Sequence, residues 1–183
     1  MAKITIVFHS GYGHTKVMAE RVKTGAERVA GTDVRLVPVE EVEGHWAELE
    51  ASDAIIFGSP TYMGNVSGPF KMFMDASSKV WLEQRWKDKL AAGFTISGSP
   101  SGDKLNTLQG LMIFAMQHGM VWVGNAEMPY NEQGINRLGS FSGVMAQAGQ
   151  VVPEVEPNEA DRLSAEALGQ RVALSTHRWV KGA

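Results

Sequence analysis

The sequence predicts an α/β fold, a doubly wound five-stranded parallel sheet with helices on both faces. Three observations carry that expectation. Short apolar runs alternate with longer amphipathic stretches along the chain, which is the pattern of successive βα units. Most of the apolar runs are nearly continuous, as strands buried on both faces are. Three of them end in loops rich in Gly, Ser, Thr and Pro, at the end of the strand where such sheets bind ligands.

The elements follow in order. Residues 3–8 (KITIVF) read as the first strand and 33–39 (DVRLVPV) as the second. Arg35 and Pro38 suit the second to an edge, where a missing backbone donor is tolerated. Residues 53–58 (DAIIFG), 91–97 (AAGFTIS) and 120–124 (MVWVG) complete the set. In 15–30, Met18, Val22, Gly25 and Val29 stand 4, 3 and 4 apart, one apolar stripe of a helix. A short helix over 43–51 turns Trp46 and Leu49 inward. Ser67 is placed to cap a helix reaching Lys79, with Pro69 in its first turn and Phe70, Phe73 and Met74 apolar. Residues 104–118 repeat the pattern with Leu108, Leu111, Met112 and Ala115. The last helix, 158–180, starts at Asn158 and buries Leu168, Val172 and Trp179. "WLEQRWKDK" (81–89) reads as a solvated face, and the segment 124–149 as a long glycine-rich lid or interface loop.

Five strands alternating with helices imply right-handed crossovers and the flavodoxin-like strand order 2-1-3-4-5. The whole chain, 1–183, reads as one such domain. Ligands in this topology bind at the carboxyl ends of the strands, at the switch point between strands 1 and 3.

Composition narrows the function. Hydrophobic residues make up 44% and charged residues 20%, ordinary values for a globular chain. A chain of this length buries roughly 70% of its unfolded surface, so its core suffices without disulfides or metal. There is no cysteine, which excludes thiolate metal sites, cysteine-ligated clusters and a cysteine nucleophile. A net charge of −3 without a Lys/Arg cluster is not that of a nucleic-acid binder. No apolar run approaches the ~20 residues of a membrane span, and Met1 leads directly into a strand pattern. A cytoplasmic location is therefore expected. No His/Asp/Glu cluster has metal-ligand spacing, and "SGSPSG" misses the G-x-S-x-G elbow of serine hydrolases.

The three loops hold the candidate site. Ser10-Gly11-Tyr12-Gly13-His14-Thr15 offers two hydroxyls and glycine-freed N–H groups at a helix start carrying roughly +0.5 charge. It matches neither GxGxxG nor GxxxxGK[ST], so it is either a phosphate cradle or a capped strand-to-helix turn. "GSPTYMGNVSGPF" (58–70) is long for a βα connection, which usually takes 2–6 residues. It is either a platform for a planar ligand or a surface loop. "SGSPSGDKLN" (97–106) is flexible and hydroxyl-rich, with Asp103 or Asn106 placed to cap the next helix.

"SGYGHT" after strand 1, "SPTYMGNVSGPFKMFMD" after strand 3 and "QHGMVWVG" entering strand 5 resemble the WrbA-type NAD(P)H:quinone oxidoreductases, flavodoxin-like FMN proteins. The resemblance spans nearly the whole chain, including a Pro-x-E motif at Pro157. It implies non-covalent FMN with its phosphate on Ser10, Gly11, Tyr12, Gly13, His14 and Thr15. It implies an isoalloxazine against Pro60, Thr61, Tyr62, Met63, Gly64 and Asn65, whose pyrimidine edge meets Ser97, Gly98, Ser99, Pro100, Ser101, Gly102 and Asp103. It further implies Tyr12 on the nicotinamide side, Trp81 lining the substrate cavity, and His118 reaching the flavin as a catalytic residue. NADH or NADPH would be the reductant and a quinone-like small molecule the acceptor. Assembly would be a homodimer or homotetramer, with no metal, nucleic acid or membrane partner.

Tyr62 and Met63 stand where the family usually has Arg-Phe, which removes a cation and moves or removes a ring facing the flavin. The segment between strands 2 and 3 is also short for the family. Two alternatives therefore remain beside the oxidoreductase: a flavodoxin-type electron carrier, for which −3 is weakly acidic, and a non-catalytic binding module of the same fold.

Overall fold

The computed structural model describes residues 1–182. The parallel sheet comprises β1 (Ala2–Phe8), β2 (Thr32–Pro38), β3 (Ala54–Tyr62), β5 (Leu90–Ser97), β6 (Val121–Trp122) and β7 (Val144–Gln147). A two-residue strand β4 (Asn65–Val66) folds back on the end of β3. The order β2-β1-β3-β5-β6 is the expected 2-1-3-4-5 crossover pattern, with β2 and its Pro38 at an edge.

The fifth strand departs from expectation. β6 pairs only with Leu90 and Ala91 at the start of β5, and β7 pairs with Phe94–Ser97 at its end. Together they occupy the place of one strand, interrupted by residues 123–143. The segment 124–149 is therefore not wholly a lid or interface loop. Its end is sheet, and the residues after it emerge at the ligand-binding edge.

Helices α1 (His14–Glu27) and α6 (Glu159–Lys181) cover one face. A 3-10 turn (Val39–Gly44), α2 (Trp46–Ala51), α3 (Gly68–Ala76), α4 (Ser78–Leu82) and α5 (Lys104–Gln117) occupy the other. Ile4, Ile6, Ile56, Met18, Val22, Leu168 and Val172 pack under α1 and α6. Ile55, Phe57, Phe70, Phe73, Trp86, Leu108 and Leu111 fill the opposite layer. α1 and α6 touch backbone to backbone: a Cβ on Gly25 would lie 1.9 Å from the Glu166 carbonyl oxygen, and one on Gly169 1.9 Å from that of Val22. Only glycine permits that approach.

Asn158 caps α6, its side chain accepting from Asp161 N at 3.0 Å. Trp179 is 45% exposed rather than buried, its indole N–H donating to the Asp88 carbonyl. Trp86 is fully buried among Phe57, Phe73 and Phe114, so 81–89 is not a solvated face throughout.

Candidate functional site

β1 stops at Phe8 and the chain turns out of the sheet before α1 begins at His14. Gly13 makes that turn at φ +90°, and a Cβ there would lie 2.5 Å from Pro153 Cγ. The N–H groups of a helix's first turn have no intrahelical acceptor. In α1 that turn carries no acidic side chain. Ser10 Oγ accepts from Lys16 N at 3.0 Å, which leaves its own O–H to donate outward. Thr15, 2% exposed, faces the adjoining cavity. The loop presents donors and the positive end of a helix to one point, as anion sites do.

That cavity measures about 690 Å³. Tyr12, His14 and Thr15 form one wall, Pro60 and Tyr62 from the end of β3 another, and Ile96, Ser97 and Gly98 from β5 the floor. Parallel register sets Pro60 beside Ile96, which brings the second and third loops together. Tyr12 and Tyr62 meet edge to face, ring centres 6.3 Å apart. Partial burial, and then the neighbouring Tyr12, raise the Tyr62 phenol pKa.

The remaining wall is Ala148–Pro153: Ala148 and Gly149 end the segment expected as a lid or interface loop, and residues 150–153 had no assigned role. It follows β7, so it was hidden with that strand. Several contacts hold it. His14 Nε2 donates to the Val151 carbonyl at 2.8 Å, and Gly149 N–H donates to the Glu156 carboxylate. The Arg162 guanidinium donates to the carbonyls of Pro153 at 3.1 Å, Glu154 at 2.9 Å and Pro157 at 2.7 Å.

Lys104 likewise had no assigned role. At 1% exposure its Nζ donates to Ser97 Oγ at 2.8 Å and to the carbonyls of Ser99 at 2.9 Å and Pro100 at 2.8 Å. Burial pulls its pKa down. Its signal was present in "SGDKLN": a lysine at a helix start, where the dipole disfavours cations, has some other partner.

Other expected residues lie elsewhere. The segment 58–66 is largely not a loop: β3 runs on to Tyr62, and Met63 (φ 48°) and Gly64 (φ 77°) turn it into β4. Met63 is fully exposed at that tip, and Asn106 Nδ2 donates to the Gly64 carbonyl. Thr61 Oγ1 is spent on Thr95 at 2.7 Å and Thr107 at 2.8 Å in the core. Pro100, Ser101 and Asp103 line a separate cleft with Leu138 and Met145. Asp103 precedes α5 at φ 54° without a side-chain capping bond.

His118 and Trp81 are not brought to the first cavity within one chain. They line a second, of about 720 Å³, with Asn65, Lys71, Asp75 and Ser77. His118 is 1% exposed, its Nε2 2.9 Å from Ser77 Oγ and its ring 4.3 Å from that of Trp86. Burial lowers its pKa to about 4, so at neutral pH the imidazole is uncharged. Among the described residues its Nδ1 has no hydrogen-bond partner. Trp81, 43% exposed, is a cavity wall rather than core. Among the described residues no group of three His, Cys, Asp or Glu is arranged to hold a metal.

Comparison with known proteins follows the same lines. The sequence model of the family described as NADPH-dependent FMN reductase matches residues 29–133. A curated relative, Flavodoxin FldP of Pseudomonas aeruginosa, is 37% identical over 88% of this chain and 85% of its own length. An NAD(P)H dehydrogenase (quinone) of Archaeoglobus fulgidus is 34% identical over 94% of this chain and 96% of its own. Among solved structures, a flavodoxin, WrbA-like protein from Agrobacterium tumefaciens superposes with a TM-score of 0.77 at 41% identity, covering 97% of this chain and 99% of that one.

Proposed function

The chain belongs to the NADPH-dependent FMN reductase family, and from that membership we propose that it reduces quinones with NAD(P)H through FMN held in the first cavity. One observation carries the reading: a helix start rich in donors, an aromatic wall and the hydroxyl-bearing 97–98 segment surround the same space. The residues fit FMN. The cavity lies within the roughly 300–1,000 Å³ of cofactor pockets, and none of its lining residues is acidic. At Gly13 any larger residue would fill the cradle against Pro153.

Bound FMN supplies the chemistry, accepting hydride from the nicotinamide and passing reducing equivalents to the acceptor. The chain supplies place and environment. Ser10, Thr15 and the backbone N–H groups of Gly11–His14 hold the phosphate. Pro60 and Tyr62 support the ring, Ser97 and Gly98 bound its polar edge, and Ala148–Pro153 excludes water. Tyr12, 77% exposed at the mouth, offers its face to the nicotinamide. A single mouth receives nicotinamide and acceptor in turn, which gives ping-pong kinetics.

The roles of His118 and Trp81 in this reading require a second copy of the chain. Their cavity opens among exposed Trp81 and Ile113, a face suited to a homodimer or homotetramer contact. A cytoplasmic setting that provides NAD(P)H fits a cysteine-free chain in which no described helix is long and apolar enough to cross a membrane.

The likeness to a flavodoxin favours a second reading, an electron carrier that docks to partner proteins. Anaerobic addition of NADPH or NADH to the yellow FMN-loaded protein separates the two. Bleaching within seconds, followed by recovery of colour on adding a quinone, is expected of the reductase. A protein that keeps its colour with both nucleotides is a carrier, and one that neither takes up FMN nor gains thermal stability from it is neither. Saturation at about 100 times Kd adds about 2.7 kcal/mol to the stability.

A further inference from the structure

Lysine is almost never fully buried unless it is paired. Among the described residues, Lys104 nonetheless makes no ion pair within the 4.0 Å that defines one. Its partners are one hydroxyl and two carbonyls. Their geometry sets its charge. Carbonyls only accept, and the Ser97 hydroxyl hydrogen is already given to the Ser99 carbonyl at 3.0 Å. Ser97 Oγ must therefore accept from Nζ as well, so all three contacts need a donor on Nζ. Only the ammonium has three.

The same contacts curl residues 97–100 around the cation. A trans peptide points its C=O and N–H in opposite directions, so a Pro100 carbonyl turned toward Nζ turns the Ser101 N–H away from it. Ser97 and Gly98, within this curl, line the first cavity. A buried cation without a paired carboxylate favours negative charge nearby, and the low dielectric around it extends its reach. Asp161, whose charge favours the ammonium, is already bound bidentately by Arg137 at 2.8 and 2.9 Å.

We propose that Lys104 is a positioning residue of the cofactor pocket, whose buried ammonium holds Ser97 and Gly98 in the pocket wall and favours FMN in its two-electron-reduced, anionic form over oxidised FMN. This rests on the FMN reading above and adds a determinant of cofactor potential to it.

The test uses the full chain loaded with FMN, with Lys104→Met as the near-isosteric neutral variant. Oxidised FMN affinity is read by flavin fluorescence, and the two-electron midpoint potential by equilibration with reference dyes. Lys104→Met is expected to lose at least tenfold more affinity for reduced than for oxidised FMN, a fall in potential of about 30 mV for a two-electron couple. Lys89→Met, which removes a part-buried ammonium at the opposite end of β5, is expected to leave the potential within one third of that shift. An unchanged potential in Lys104→Met overturns the proposal. Riboflavin, which lacks the phosphate, gives a second reading. Equal loss of riboflavin and FMN places the effect on the ring as proposed, whereas loss of FMN alone assigns the charge to the phosphate and overturns it. Should Lys104→Met fail to fold, Lys104→Gln is read the same way, and failure of both with excess FMN present reduces Lys104 to a core residue, also overturning the proposal. Wild-type protein that takes up no FMN rejects the cofactor reading instead, a distinguishable result.

Discussion

His14 Nε2 donates a 2.8 Å hydrogen bond to the carbonyl oxygen of Val151, joining the first residue of α1 to the segment after β7 across 137 positions of sequence. The bond closes one side of the cavity, because both residues line it. His14→Ala removes the donor and frees Ala148–Pro153 on that side. FMN affinity is expected to fall by about 1 kcal/mol, a typical net hydrogen bond. Fluorescence titration measures it, and an affinity equal to wild type would show that the segment holds its place without His14.

Gly13→Val and Thr15→Ala separate backbone shape from hydroxyl chemistry in the same loop. A side chain at Gly13 meets both an unfavourable φ of +90° and Pro153 at 2.5 Å. Strain of this kind costs about 1–3 kcal/mol, so apo stability and FMN binding both decline. Thr15→Ala is expected to leave the fold intact and weaken FMN binding by about 1 kcal/mol. Urea unfolding of the apo proteins beside FMN titration distinguishes the two. Wild-type affinity in both variants would refute the phosphate assignment.

His118 makes stability depend on pH. Burial lowers its pKa from 6.5 to about 4, so the unfolded chain binds a proton that the folded chain refuses. Stability rises with pH wherever the unfolded state holds more protons. The contribution is therefore complete above pH 6.5, falls as pH drops below it, and is lost by about pH 4. A shift of this size corresponds to about 3 kcal/mol. His118→Gln is expected to flatten that part of the profile between pH 7 and 4.5 in urea unfolding. A wild-type profile in the variant would assign the dependence to other groups.

Asp161 ties three parts of the chain together. Its carboxylate, 1% exposed, accepts from Arg137 at 2.8 and 2.9 Å and from Gln147 N–H at 2.9 Å. Arg137 lies in the excursion between β6 and β7, and Gln147 ends β7. Asp161→Ala leaves Arg137 without its partner, and breaking a buried pair costs about 3–5 kcal/mol, here at the lower end because Arg137 is partly exposed. Thermal unfolding checks the loss. FMN affinity is expected to fall with it, since β7 delivers Ala148–Pro153 to the cavity.

Much of this was legible in the sequence because it is local. The 4, 3, 4 spacing of Met18, Val22, Gly25 and Val29 specifies a helix and its buried face without reference to anything distant. The apolar runs of β1, β3 and β5 likewise announce strands covered on both sides, and the alternation of elements announces their order. The glycines and hydroxyls of Ser10–Thr15 mark a donor-rich turn before a helix. What stayed hidden depends on pairs far apart in the chain. "VMAQ" is too short to read as half of a strand; it becomes one only where the outer edge of β5 remains open beyond Ala91.

The sequence by itself determined the α/β architecture, the crossover order of the sheet and the edge of it where the candidate site lies, because periodicity and turn chemistry act within a few residues. The tertiary structure alone decided that Ala148–Pro153 closes the cavity, that Lys104 is buried beneath its wall, and that His118 and Trp81 face a different cavity. Those outcomes follow from which edges remain unpaired and which polar atoms remain unsatisfied once the sheet is assembled, and neither is a property of a local stretch of chain.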